Sequence, residues 1–327
     1  MVTGWRLRAA SAAAAVMVDH LLGDPPDRLH PVAWFGRAMT RREQRAWSDH
    51  RLSGVRHLSA GVVVAAIPVT LLAAGARQMG GAAANRALSV VVVAATLGAR
   101  SLDRRAAEVG EALASGRIEE ARRSLPALVG RDPAGLDEAE IARAVVESVA
   151  ENTVDAVLAP LFWAAVGGAG AAAAYRAVNT LDAMVGYRND RYRRFGWASA
   201  RADDVANFVP ARVAAVIVAL CSPGRAQGIV RAVCRQAPGH PSPNAGVIEA
   251  AFAAALGLRL GGTNRYGEVI EHRVELGNGR AATPGDIVRA RLLARRVTVV
   301  AAAALACPFL CELWRCSRTN RPSRGVH

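Results

Sequence analysis

The stretch LSAGVVVAAIPVTLLAAGA, Leu58 to Ala76, is uncharged from end to end. At about 1.5 Å per residue, a helix of that length just crosses a hydrocarbon core of roughly 30 Å. A second apolar run follows at Ala87 to Ala99 (ALSVVVVAATLGA). With the preceding GGAAAN it reaches crossing length if Arg86 snorkels to a headgroup. The turn between the two, around Arg77 and Gly80-Gly81, makes them a helical hairpin. Ala156 to Ala174 is a third candidate, interrupted by Gly167-Gly168 and Gly170. Val209 to Cys221 is a weaker fourth, opened by Pro210 and Arg212, and Val297 to Leu313 is a fifth. The pattern predicts an all-α, polytopic integral membrane helical bundle with four or five apolar segments. Amphipathic helices and polar loops join them and carry the site.

Composition narrows the chemistry. The chain has 327 residues, 52% hydrophobic, with 41 basic residues against 27 acidic ones, for a net charge of +14. Every basic residue is arginine. Without lysine there is no Schiff base to pyridoxal phosphate or a carbonyl substrate, and no GxxxxGK[ST] phosphate loop. The hydrophobic fraction excludes a disordered chain. Scattered arginines and 5% aromatic residues speak against nucleic acid as a partner. The five cysteines show neither disulfide nor metal spacing, so they are expected to be reduced, small buried side chains. Met1 to Val18 mimics a signal peptide, but Asp19-His20 stands where a small-residue cleavage site would lie, so a retained helix is expected. Residues 100–150 alternate apolar and charged positions at helical spacing, with Gly116 breaking two amphipathic helices. The whole of 1–327 reads as one domain, with 315–327 a frayed arginine-rich tail suited to anionic headgroups.

Four segments are polar beyond what solubility needs. In DHLLGDPPDRLHPV, Pro25 and Pro26 end any helix and place Asp24 and His30 on a rigid loop; a capping Asp and a surface His explain them as well. Next come Glu147, Glu151, Asn152 and Asp155. Spacing of i, i+4, i+8 puts the three carboxylates within about 80° on one helical face. They repel one another, more strongly near lipid. A hard divalent cation offsets this, and Mg²⁺ prefers a few carboxylates plus phosphate oxygens; a solvated helix face is the plainer account. The third segment runs from Tyr175 to Arg188 with Asn179 and Asp182 at i, i+3. The fourth runs from Phe195 to Arg212 with Asp203, Asp204 and Asn207. Arginines at 176, 188, 191, 193, 194 and 201 offer planar forks for phosphate or carboxylate. Such a mixture describes a metal–nucleotide or phosphoryl-transfer site, or else a structural ion-pair network. Asn244 precedes an Ala-rich helix containing Glu249, and Leu260 to Gly267 reads as a Gly-rich turn. Backbone N–H groups of either could meet a phosphate, though an ordinary turn accounts for both.

The third apolar segment poses a geometric question. If Ala156 to Ala174 crosses the bilayer, the Glu147 group and the Asp182 and Asp203 groups end on opposite sides. They share a site if Gly167-Gly168-Ala-Gly170 turns the chain back, or if they meet in a cavity shielded from lipid. The turn-back is the favoured reading. Arginine in nearly every loop leaves the positive-inside count undecided.

At these residues the sequence resembles the CobD/CbiB family of cobalamin biosynthesis, the adenosylcobinamide-phosphate synthases. The resemblance rests on DHLLGDPPDRLHPVAWFGR (Asp19 to Arg37), ESVAENTVDAVLAPLFW (Glu147 to Trp163), YRAVNTLDAMVGYRNDRYRRFGWASARADDVANFVPAR (Tyr175 to Arg212) and SPNAGVIEAAFAAALGLRLGG (Ser242 to Gly262). It implies a multi-pass enzyme of the cell membrane with its site toward the cytoplasm. The reaction would be a carbon–nitrogen ligation: an amide between adenosylcobyric acid and (R)-1-amino-2-propanol or its O-phosphate, giving adenosylcobinamide or its phosphate. Because an amide from a free carboxylate is uphill in water, activation by ATP with Mg²⁺ is implied. Glu147, Glu151, Asp155 and Asp182 or Asp203 would hold Mg²⁺. Arg176, Arg188 and Arg201 would clamp phosphates, with Asn152, Asn179, Asn207 and Asn244 in the binding set. Asp204 or His30, with Asp24, would take the proton from the attacking amine. Partners implied are the corrinoid, the aminopropanol and the bilayer, with homo-oligomers left open. The alternative is a non-catalytic transporter or sensor of related fold. A transporter buries charge mid-span at a helix break, whereas most charges here flank the apolar runs.

Overall fold

The computed structural model describes residues 4–319 apart from Asp27, Arg131, Arg188, Gly267 and Glu268; the side chains of 264–271 and 312–319 lie outside the description. In chain order the helices are α1 (Gly4–Leu22), α2 (Pro31–Ala46), α3 (Arg51–Ala94), α4 (Ala99–Ala114), α5 (Ile118–Ser124), α6 (Glu138–Thr153), α7 (Ala159–Val185), α8 (Trp197–Cys221), α9 (Ala226–Arg235) and α10 (Ala245–Leu256). A two-stranded antiparallel hairpin follows, β1 (Leu260–Tyr266) and β2 (Val269–Leu276), and then α11 (Pro284–Thr319).

Local chemistry sets the ends. α1 stops at Leu22, before the Pro25-Pro26 pair. His30 caps α2, its Nδ1 accepting the Val32 N–H at 3.1 Å, and Pro31 fills the first helical position. Asp137 and Glu140 form a reciprocal capping box at the start of α6. The expected break at Gly116 falls between α4 and α5, with φ 71°.

Two of these helices are hairpins. Gly81 (φ 68°, ψ −163°) interrupts α3 and Gly168 (φ 77°, ψ −165°) interrupts α7. Twenty-four residues of straight helix would part Asp155 from Asn179 by about 36 Å, yet their side chains hydrogen-bond at 3.2 Å. The Tyr175 hydroxyl likewise donates to the Asp155 carbonyl at 3.2 Å. The arms of α7 therefore run antiparallel, and the turn-back favoured from the sequence is what the chain does. α3 does the same. A Cβ on Gly61 would come 2.6 Å from Leu181, and one on Gly170 would come 2.4 Å from the Thr70 hydroxyl. Past the Gly81 reversal, the Gly98 N–H reaches the Ala156 carbonyl at 3.0 Å. Small residues let these backbones approach, as helix packing in lipid requires.

The core is built on α6, whose Ile141, Val145, Val146 and Val149 are fully buried, with Leu161, Ile248 and Phe252 around them. The outer faces are apolar too. Val63, Val64, Ile67, Leu71 and Leu72 on α3, and Val205, Phe208, Val216 and Leu220 on α8, are exposed. Contiguous apolar surface of this extent needs lipid as its neighbour. Four segments, Arg51–Ala114, Glu138–Val185, Trp197–Cys221 and Pro284–Cys311, are long and apolar enough to cross a membrane. The expected polytopic helical bundle is the observed one.

Charged pairs fasten the ends. Asp103 on α4 takes bonds from Arg291 and Arg295 at 2.9 and 2.6 Å. Buried Asp286 accepts from Arg280, Thr283 and Arg289 at the start of α11. Three local expectations change. Leu260–Tyr266, expected within a Gly-rich turn, is instead the first strand of a hairpin, where Gly261 and Gly262 sit at φ 80° and 82° beside a register shift; Gly267 lies outside the described residues. α8 runs unbroken through Pro210, so the fourth apolar segment starts earlier than the proline suggested. The cysteines are not buried: Cys221 is half-buried and Cys234, Cys307 and Cys311 are exposed, the last two on the apolar segment Pro284–Cys311. Cys316 lies outside the described side chains.

Candidate functional site

The polar residues gather at the end of the bundle away from the two glycine reversals. The α1–α2 loop, the first turns of α4, the 127–128 turn, α6 and the second arm of α7 enclose a cavity of about 570 Å³. Asp24, His30, Ser101, Arg104, Arg105, Asn152 and Arg176 line it. Because His30 Nδ1 accepts the Val32 amide, a neutral ring carries its proton on Nε2, which lies 3.6 Å from Asp24 Oδ1. Burial would raise the Asp24 pKa, but hydrogen bonds from His30 and Ser101 outweigh it and hold the carboxyl below its usual range.

Arg176 stands between this cavity and an acidic group. One of its terminal nitrogens donates to Asn179 Oδ1 at 3.3 Å. The Asn179 amide in turn donates to Asp155 at 3.2 Å and Asp203 at 3.3 Å. Asn207 donates to Asp203 at 3.0 Å and accepts the Tyr175 hydroxyl at 2.9 Å. Asp182, one turn beyond Asn179, lies within electrostatic reach of Asp203 and Asp204.

The single carboxylate face expected for Glu147, Glu151 and Asp155 is split. A π-turn over Val154–Leu158 follows Glu151 and shifts the phase of the helix. Asp155 meets Asn179, while buried Glu147 accepts the Gly261 N–H at 2.8 Å. Arg143, one turn before Glu147, binds the carbonyls of Gly261 and Thr263, so this pair pins β1 to α6. Glu151 turns toward Glu249, with which it shares a hydrogen bond. Burial, with the charges of Glu151 and Glu147, raises the Glu249 pKa well above the usual range. His240 Nε2 is 3.7 Å from Glu249. Among the described residues no three histidine, cysteine or acidic side chains converge as a ready-made metal site.

The remaining candidates fall outside the cavity wall. Arg201 pairs with Asp204 at 3.1 Å on the surface. Asn244 joins α8 to α10, donating to the Asp204 carbonyl at 2.7 Å and accepting from Arg212 at 3.0 Å. Arg191 is bound to Glu43 and Arg194 to Asp49, so neither fork is presented to the cavity. Arg188 lies outside the described residues. Ser101, Arg104 and Arg105 were not legible as site residues. SLDRR reads as one amphipathic helix, and the only cue was two adjacent arginines one turn inside a helix that begins at a glycine.

The fold and site define a polytopic helical membrane protein whose polar end combines an arginine-lined cavity with a carboxylate–amide group. The particular family follows from comparison. The CobD/Cbib protein family model matches residues 12–294, and the chain belongs to that family. The cobalamin biosynthesis protein CobD of Mycobacterium tuberculosis (strain H37Rv) is 47% identical over 301 residues, covering 91% of this chain and 95% of that protein. Its counterpart in Pelobacter propionicus is 40% identical over 299 residues, covering 90% and 92%. That in Rhodobacter capsulatus is 39% identical over 322 residues, covering 94% and 99%. No solved structure matches the chain.

Proposed function

We propose that the chain acts in cobalamin biosynthesis as an amide-forming ligase of the cell membrane, joining the propionate carboxylate of adenosylcobyric acid to (R)-1-amino-2-propanol or its O-phosphate. The observation that carries this reading is the juxtaposition, at one end of the bundle, of the Asp24–His30 pair with Arg104, Arg105 and Arg176. A base and a set of phosphate-binding forks are what attack by an amine on an activated carboxylate needs. The cavity falls within the usual size for a small-molecule pocket. It suits the propionate arm, the amine and phosphate groups, with the corrin ring at its mouth.

Asp24, ionised and acceptor-only, takes the proton of the attacking amine as phosphate leaves the activated carboxylate. The Nε2–H of neutral His30, 3.6 Å from Asp24 Oδ1, orients that carboxylate. Arg176 and the α4 arginines neutralise phosphate or carboxylate charge in a site partly shielded from water. Donor chemistry bears on Mg²⁺. The five-carboxylate set does not fit, since Glu147 and Glu151 are committed elsewhere. Asp155 and Asp203 do fit an ion that uses one or two carboxylates and takes its other ligands from phosphate and water. When bound there, Mg²⁺ would neutralise the phosphates of ATP. A site facing the cytoplasm follows from the need for that nucleotide.

The test is a product assay on detergent-purified full-length protein supplied with ATP, Mg²⁺, adenosylcobyric acid and the amine with or without its phosphate. A corrinoid whose mass rises by the amide adduct is the expected result, and the amine consumed identifies the substrate. Unchanged corrinoid from folded protein that still binds it would replace this reading with transport or sensing.

A further inference from the structure

A second cavity, of about 240 Å³, opens at the corner between α2 and α3. Arg42, Ser48, His50, Ser53 and Arg56 contribute its polar wall. We propose that this corner is a binding site for the phosphate of an anionic phospholipid.

Three observations point to a phosphate. First, the cations are uncompensated: neither Arg42 nor Arg56 pairs with a carboxylate among the described residues, and Arg42 reaches only the Arg56 carbonyl at 3.4 Å. The nearby acidic groups are taken, Glu43 by Arg191 and Tyr192, and Asp49 by Arg194. Second, the imidazole and guanidinium groups line a space, while the Ser53 hydroxyl is used by the Ala46 carbonyl at 2.9 Å. His50 caps α3 through Nδ1, which accepts the Leu52 N–H at 3.2 Å. A neutral His50 ring therefore keeps its proton on Nε2, as a donor beside the two guanidiniums. Third, α2 adds Arg41 and Arg45 to the positive charge of the same corner.

The level of the cavity identifies the source of that phosphate. The helix beginning here enters lipid directly: exposed Val63 lies about 10 Å beyond Arg56 along the axis, followed by Val64, Ile67, Leu71 and Leu72. Tryptophans mark the boundary. Trp47 lies under the Arg191 guanidinium at 4.9 Å and Trp197 under that of Arg51 at 5.0 Å, both partly exposed. Tryptophan and arginine together at the start of an apolar span belong to the headgroup layer, where anionic lipids concentrate. A free phosphate has no reason to prefer that depth.

Native mass spectrometry of the full-length protein in detergent tests this, with phosphatidylglycerol, phosphatidylcholine and inorganic phosphate as separate probes. Retained phosphatidylglycerol adducts are expected, at about tenfold higher occupancy than phosphatidylcholine. Arg42→Gln/Arg56→Gln should abolish that preference, and Arg42→Lys/Arg56→Lys should keep most of it. Ser48→Glu, an exposed substitution that brings a carboxylate to the cavity, should repeat the loss even if the double variant folds poorly. Arg231→Gln/Arg235→Gln removes the same charge from α9 and should leave the adducts intact. Equal binding of both lipids, equal loss in the α9 variant, or displacement of the lipid by millimolar inorganic phosphate would each overturn the proposal.

Discussion

Asp155, in the π-turn that leads into α7, and Asp203, on α8, share one amide: Asn179 Nδ2 donates to both, at 3.2 and 3.3 Å. Two like charges held against a single donor repel unless a cation joins them. The pair is thus assembled at the expense of the local electrostatics, in keeping with a site built for binding.

Asp155→Ala or Asp203→Ala should lower turnover by at least about 100-fold while the protein still purifies as a folded species. The double variant should be no worse than the worse single one, because the two act as a unit. Glu147→Gln should instead act on stability, since it weakens the bond to Gly261, and thermal unfolding beside activity separates the two classes. Full activity in both alanine variants would remove this pair from the site.

Among the arginines the structure predicts a sharp division. Arg176→Gln and Arg105→Gln should raise the KM for a phosphate-bearing substrate by about tenfold or more. Arg194→Gln, which breaks only the surface pair with Asp49, should leave kinetics unchanged and stability within about 0.5 kcal/mol. Steady-state kinetics on the three proteins decides the matter.

Asp19 supplies a pH test. Burial, partly offset by the Arg100 N–H, pushes its carboxyl up to about 6. A folded-state pKa above the unfolded one means that the native protein binds the proton more tightly. Asp19 therefore makes folding less favourable as pH rises from about 4 to 6, with no further change above that. Asp19→Asn should be stabilised relative to the parent at pH 7.5, by about 1–2 kcal/mol, and keep only a minor part of that advantage at pH 4.5. Unfolding temperatures of both proteins at the two pH values give the answer.

One reversal glycine and one packing glycine predict a graded pair of effects. Gly168→Ala meets only ordinary contact, 3.4 Å from Arg8, so its cost is backbone strain at positive φ, about 1–2 kcal/mol. Gly54→Ala has an ordinary φ but would place its Cβ 1.9 Å from the Phe195 carbonyl, a clash with backbone that should cost more. Thermal unfolding in detergent should rank Gly54→Ala below Gly168→Ala, and both below the parent.

The membrane segments and both reversals were legible because length, apolarity and paired glycines are local properties. The Asp24–His30 loop was legible for the same reason, since two prolines fix it. What periodicity missed is where its assumption of a regular 3.6-residue turn fails. The π-turn after Glu151 rotates Asp155 away from the Glu147 row, and no composition signal announces it. Arg191 and Arg194 looked like phosphate forks because their partners, Glu43 and Asp49, lie about 145 residues away in sequence. Arg104 and Arg105 were hidden for the converse reason: only the fold brings α4 opposite Arg176.

The fold-back at Gly168 also bears on how the chain enters the membrane during synthesis. A straight passage from Glu138 to Val185 would draw either the Asp155 side or the Asp182 side of the segment through hydrocarbon, a transfer that charged side chains resist. As a hairpin, the segment inserts tip first. Only Ala, Gly, Val, Leu, Phe, Trp and Pro lead the way between Ala156 and Ala174. Both acidic flanks then stay on one side of the membrane, so neither half of the carboxylate–amide group has to be drawn through hydrocarbon to meet the other.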